Sequence, residues 1–339
     1  MRTRITIVVS VVLALSSGCR TRSAGPQAQG TRTSQGSRLL LTVDFEPGRV
    51  LRYKFVSHRD ITLDWDPGAA TSVNRVQKQS ERLELVVAYT PVEVDPYGIS
   101  TLRAVCESVA IRRTGRPSGQ GANTDAVTTA QGKAFTLKVD PRGKIVDASD
   151  LDRLIRELGA AAFRPDTSRG RIKEPDLIGD FIATQWFLWD AISSIEAPVA
   201  GVAEGQSWKS ALSVPTPMVM RQARNVTYRL AEVRDSDRGR LAAIDSLYSL
   251  ADSAPQGWPV PYAGRFQLSG TFGILGAYDI VALEGNGRTL FDVEAGRIEC
   301  QDQTYTLQMK ASLPPMGIRA NPFIVIEQTL TMELMDEAP

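Results

Sequence analysis

At 339 residues, with 42% hydrophobic and 23% charged side chains, the chain is long enough for one large or two medium domains with substantial cores. Its 39 basic and 38 acidic residues sum to +1, but Arg2, Arg4, Arg20, Arg22, Arg32 and Arg38 all precede the body; removing these six leaves 33 bases against 38 acids, about −5. A mildly acidic body without a basic run argues against nucleic acid as a partner, and one histidine with three dispersed cysteines offers no paired spacing for zinc.

In chain order, Arg2 and Arg4 lead an apolar run from Ile5 to Leu15 that ends at Ser16-Ser17-Gly18-Cys19. The run is shorter than the about 20 residues that span a bilayer, so removal is expected rather than a retained anchor helix. This segment resembles a bacterial lipoprotein signal, in which the peptide before the cysteine is cut off and that cysteine becomes the diacylated first residue. The resemblance implies a signal peptide over 1–18, lipidation at Cys19, a membrane partner held through that lipid, and an exported protein of the cell envelope, periplasmic or surface-facing. Residues 19–38 carry Gly, Ser, Thr, Gln and Arg with no aromatic or large aliphatic side chain, the composition of a disordered tether. With Cys19 assigned to the lipid, Cys106 and Cys300 remain as an even pair: a disulfide in an oxidising compartment, or two buried thiols.

Strand signals dominate from residue 39. Leu51, Tyr53 and Phe55 alternate with Arg52 and Lys54, and Leu83, Leu85, Val87 and Tyr89 alternate again. Phe135, Leu137 and Val139 repeat the pattern, as do Val226, Tyr228, Leu230 and then Leu330, Met332, Leu334. Turns are expected at Asp95–Gly98, Asp140–Gly143, Asp237–Gly239 and Gly285–Gly287. Only 148–195 reads as helical. There Ser149 and Asp152 form a capping signature ahead of Leu151, Leu154, Ile155 and Leu158, and Pro175 opens a second helix with Phe181, Trp186 and Trp189 on its apolar stripe.

The segments flanking that insertion, 39–147 and 196–339, look alike. Gly48 and Gly205 each lead into a strand, long hairpins turn at Gly98 and Gly239, and strand–turn–strand units surround Gly143 and Gly296. The predicted fold is therefore mainly β (α+β), with antiparallel sheets in two similar halves and a two-helix insertion. Glu204-Gly205-Gln206-Ser207-Trp208 resembles the mark of an uncharacterised family of exported β-rich bacterial domains, and the resemblance implies no catalytic residue.

Catalytic candidates are few. Ser-His-Asp or Cys-His chemistry could use only His58, beside Arg59 and Asp60 in a polar strand, where an exposed histidine is the simpler reading. The acidic turns at Asp64–Gly68 and Asp235–Gly239 lack the glutamate that completes a calcium loop, and no glycine cluster has phosphate- or dinucleotide-binding spacing, so neither metal nor cofactor is expected. Trp186 and Trp189 either pack the helix onto the sheet or line a ligand groove. These features point to a noncatalytic envelope module that binds a ligand or partner or plays a structural part. The alternatives are a carrier holding a lipid or other hydrophobic ligand in a curved-sheet cavity, and a carboxylate-dependent hydrolase.

Overall fold

Strict alternation of large apolar and polar residues produces long strands. Along β1 (Leu51–Asp64) every odd residue is buried and every even residue half-buried, the period of two that a one-sided sheet requires. In the computed structural model the described residues are 38–68, 75–114, 126–143, 145–147, 149–151, 153, 154, 157, 198–213, 223–236, 239–253, 276–312 and 321–335. They form eleven strands: β1, β2 (Val76–Val94), β3 (Ser100–Thr114), β4 (Ala134–Val139), β5 (Ile145–Asp147), β6 (Ser207–Ser213), β7 (Ala223–Ser236), β8 (Gly239–Leu250), β9 (Gly276–Asp292), β10 (Arg297–Ser312) and β11 (Phe323–Leu334). The expected alternating segments all fall on strands, and all pairings are antiparallel.

One sheet holds all eleven, in the order β5-β4-β3-β2-β1-β11-β10-β9-β8-β7-β6. The predicted plural sheets are thus joined: β1 and β11, from opposite ends of the described chain, pair in unbroken register from Tyr53↔Leu334 to Asp64↔Phe323. Leu39 and Val202 add an isolated antiparallel bridge. Helical residues begin at Ser149, where the Asp147 carboxylate accepts the Ser149 amide at 2.9 Å and so takes the local capping part expected of Ser149. That hydrogen bond holds the Asp147 carboxyl below its usual range. Most of 148–195, including the predicted Pro175 helix, lies outside the described residues, as do the signal segment and most of the tether. No helix among the described residues is long and apolar enough to cross a membrane.

The sheet is rolled. Val43 donates its amide to Pro141 in the β4–β5 turn at 2.8 Å, and the next residue, Asp44, donates to Gly296 in the β9–β10 turn at 2.9 Å. On a flat sheet of this order those turns would stand six strand spacings apart, about 29 Å. Two consecutive amides reach both only if the sheet curls until its end nearly closes. Residues 39–48 therefore form a strap across that end, with Leu41 and Phe45 buried beneath it. Gly296 permits the contact: its φ is +59°, and a Cβ there would stand 2.6 Å from the Asp44 nitrogen. Strand directions place the four short hairpin turns at this strap end, and the connections after β1, β3, β6, β8 and β10 at the opposite end.

Candidate functional site

The inner face is built in register rows, and the middle row is polar. Glu81 on β2 faces Arg59 on β1, Arg59 faces Gln328 on β11, Gln328 faces Tyr305 on β10, and Tyr305 faces Gly285 on β9, which faces Tyr248 on β8. Arg59 Nε donates to Glu81 Oε2 at 2.8 Å and its Nη2 donates to the same oxygen, both side chains being over nine-tenths buried. The Tyr305 hydroxyl donates to Gln328 Oε1, and Gln328 Nε2 donates to Ser57 Oγ at 2.9 Å. Fully buried Arg224, on β7, lies 4.6 Å from the Tyr248 ring centroid and donates through Nη1 to Gln303 Oε1 on β10 at 3.2 Å.

Arg224 must pass β8 and β9 to make that bond, and the glycines of β9 leave it room. A Cβ on Gly285 would sit 2.5 Å from Tyr305 Cβ, and one on Gly287 would sit 2.8 Å from the Tyr248 hydroxyl. Gly285-Asn286-Gly287, expected as a turn, instead runs as strand inside β9, its glycines serving close approach rather than chain reversal.

Apolar layers flank this polar belt. Towards the strap lie Phe55, Leu85, Met332, Ile244 and Leu230, with Trp208 stacked on Tyr228 at 5.4 Å. Towards the opposite end Ile61, Leu63, Leu283, Leu307, Met309, Ile324 and Ile326 make an apolar wall contributed by β1, β9, β10 and β11. An inner surface of this kind, apolar with a few buried hydrogen-bonding groups at one level, suits an aliphatic molecule with a polar end.

The outer face carries a second feature, an open groove of about 640 Å³ lined by His58, Asp60, Glu284, Asn286, Thr304 and Glu327 among others. His58, expected to be exposed, lies there as a half-buried strand residue, its Nε2 3.4 Å from Asp60. No set of three or more His, Cys, Asp or Glu among the described residues is arranged to hold a metal ion.

The proposed Cys106–Cys300 bond is not formed. Cys106 is a free, buried thiol. Cys106 keeps the inner phase of Leu102 and Ala104, and the second of two bulges turns Cys300 the other way. Glu107 is an extra residue in β3 and Glu299 an extra residue in β10. Cys106, before its bulge, packs in the inner core, while Cys300, after its own, turns to the outer face beside Ala243 and Leu290. Burial pushes the Cys106 thiol up to about 11. The remaining site candidates, Cys19, Trp186 and Trp189, lie outside the described residues.

The belt residues were missed at the sequence level although a signal was present. Ser57 and Arg59 continue the odd phase of Leu51, Tyr53, Phe55, Ile61 and Leu63, and Gln328 continues that of Ile324, Ile326, Leu330 and Met332. Period two alone places them inside.

No protein family matches the chain, and no curated protein does. Among solved structures it is similar to lipovitellin, in a study of lipid–protein interactions, at TM-score 0.45 and 12% identity over 87% of this chain and 26% of that one. It is also similar to DynF from the dynemicin biosynthesis pathway of Micromonospora chersina, at TM-score 0.20 and 5% identity over 91% and 92% of the two chains. This chain thus spans about a quarter of the lipovitellin chain, and no function passes to it from either protein.

Proposed function

We propose that this protein is a lipid-anchored, noncatalytic module of the bacterial cell envelope that carries a hydrophobic ligand with a polar end inside its rolled sheet. The observation behind the carrier reading is the polar belt of Arg59, Glu81, Gln328, Tyr305 and Arg224 at the base of the apolar wall. The aliphatic part would lie along Leu307, Met309, Ile324 and Ile326, with its polar end towards the belt. The test is native mass spectrometry of the full-length protein with phospholipid, together with displacement of a naphthylamine probe. One lipid per chain is expected. Leu307→Trp, filling the wall, should weaken binding about tenfold or more, and Thr304→Trp on the outer face should not. Unchanged binding in a folded Leu307→Trp protein, or no binding by the wild type, overturns the carrier reading.

The anchor reading rests on the segment ending at Cys19. Of the chain's three cysteines Cys106 is a free, buried thiol, which leaves Cys19 and Cys300. A sulfur in a disulfide cannot also carry a thioether-linked lipid, so the two fates of Cys19 exclude each other. Mass analysis of the unreduced, membrane-extracted protein separates them: a diacylated N-terminal peptide supports the anchor, and a Cys19–Cys300 cross-linked peptide removes it.

We also propose that β1–β5 and β6–β10 are matched runs from a duplication. Three parallels support this reading. The Gly48 amide bonds Pro91 as the Gly205 amide bonds Leu230, Leu51 faces Tyr89 as Trp208 faces Tyr228, and positive-φ Gly143 and Gly296 close equivalent hairpins. An experimental structure in which the runs superpose only with shifted register would remove it.

A further inference from the structure

We infer that the strap end of the roll is a membrane-contacting face, a surface that rests on a lipid bilayer through exposed apolar side chains. From 39 to 45 along the strap, odd residues point inward and even ones outward, so that Leu41 and Phe45 are buried while Leu40 is 60% exposed. Around it, Tyr97 at the tip of the β2–β3 turn is 85% exposed and Val199, in the turn before β6, is 78% exposed. Val92 and Val94 at the end of β2 and Met335 just after β11 extend the same surface. Most of the large apolar side chains exposed among the described residues thus gather at one end of an elongated sheet, although single exposed residues scattered over a surface would need no explanation.

The position of the chain entry selects a bilayer as the occupant. The described chain begins at this end, where Leu39 pairs with Val202 and the Arg38 guanidinium donates to the Gly201 carbonyl at 3.0 Å. Only segment 20–37 separates Arg38 from Cys19, and a Gly- and Ser-rich chain of that length spans roughly 25 Å root-mean-square. On the anchor reading, from which this inference starts, the strap end lies on average about that far from the bilayer, and the opposite end lies farther away by the length of the strands. Tyrosine and small aliphatic side chains on turns suit the interfacial layer. The charged residues beside them, Glu46, Arg49, Asp95, Arg142 and Glu204, carry both signs, so the contact depends on apolar insertion and little on anionic lipid.

The experiment reconstitutes the full-length, membrane-extracted protein, with Cys106→Ala and Cys300→Ala so that no native thiol competes for the label, into phosphatidylethanolamine–phosphatidylglycerol vesicles containing nitroxide lipid. An environment-sensitive fluorophore is placed at Tyr97→Cys, at Val199→Cys or, as a control at the opposite end, at Val76→Cys. The fluorophore at 97 and 199 should be quenched at least about twofold more than at 76, as insertion to interfacial depth requires. Equal quenching at both ends overturns the inference. Flotation of Cys19→Ser with the same vesicles tests the anchor separately. If that variant still floats with position 97 quenched, the face stands and the anchor falls; if the wild-type chain does not float, both fall.

Discussion

Three neighbouring side chains on the inner face titrate against the fold. The rings of Tyr53 and Tyr89 meet edge-on at 6.0 Å, and Cys106 lies close enough to perturb Tyr89. Burial pushes all three upward: the Cys106 thiol to about 11 and both phenols well above their ordinary range, Tyr53 being raised further by Glu299. The neutral forms are favoured in the native state, so above the unfolded thiol and phenol values the unfolded chain binds fewer protons. Stability is then full below about pH 9 and should fall as pH rises towards 11 and beyond, which urea midpoints across that range would show. The same burial predicts that Cys106 resists maleimide at pH 8 until the protein is unfolded. A midpoint flat to pH 11, or rapid native labelling of Cys106, would contradict this account. Belt charges behave differently. Glu81→Gln leaves Arg59 buried against a neutral partner and should cost about 3 to 5 kcal/mol, whereas Arg59→Met with Glu81→Met together should cost less than either single change, a non-additivity that a double-mutant cycle reads directly.

At the scale of elements, the sequence disclosed the strands that alternate and the turns that close on a positive-φ glycine. The Asp95, Asp140 and Asp292 carboxylates each accept backbone amides of their own turns, the local chemistry that makes such turns readable. Bulges and close approaches stayed hidden because they depend on partners remote in sequence. Nothing beside Glu107 or Glu299 announces an inserted residue, and the insertion at Glu299 reverses which face Cys300 occupies. Gly285 and Gly287 look like turn residues until Tyr305 and Tyr248 are seen against them. Of the inner site, the period-two phase of Arg59 and Gln328 was legible, but the reach of Arg224 across two strands was not. Strap attachment is an element-scale property with its own test. Gly296→Ala forces a Cβ against Asp44 at a left-handed φ and should destabilise by roughly 1 to 3 kcal/mol while exposing 39–48 to protease. A variant as protease-resistant as the wild type would show that the strap does not depend on this contact.

For the whole molecule, the seam between β1 and β11 sets the order of events. Every other strand pair in the sheet is consecutive in sequence, but this one joins residues more than 250 apart, as Tyr53↔Leu334 illustrates. Long-range pairing is slow to form, and until it forms β1 presents an unpaired edge whose inner phase is apolar except at Ser57 and Arg59. A chain stopped before β11, lacking 321–339, should therefore lose near-UV dichroism and aggregate, even though ten strands remain. A monomeric, cooperatively unfolding truncation would show that the seam is dispensable.

The strap has a consequence for how such a chain can vary. Four hairpins, the incoming chain and the last residue of β11 are fitted together at one end, where an inserted residue in a turn would displace its neighbours. The five connections at the other end join strands whose register is already set along their length, and lengthening one shifts no pair. New sequence can accumulate there while the opposite rim stays fixed, so divergence should fall on the rim around the apolar wall, where a change in what the molecule holds could be tried without cost to how it folds.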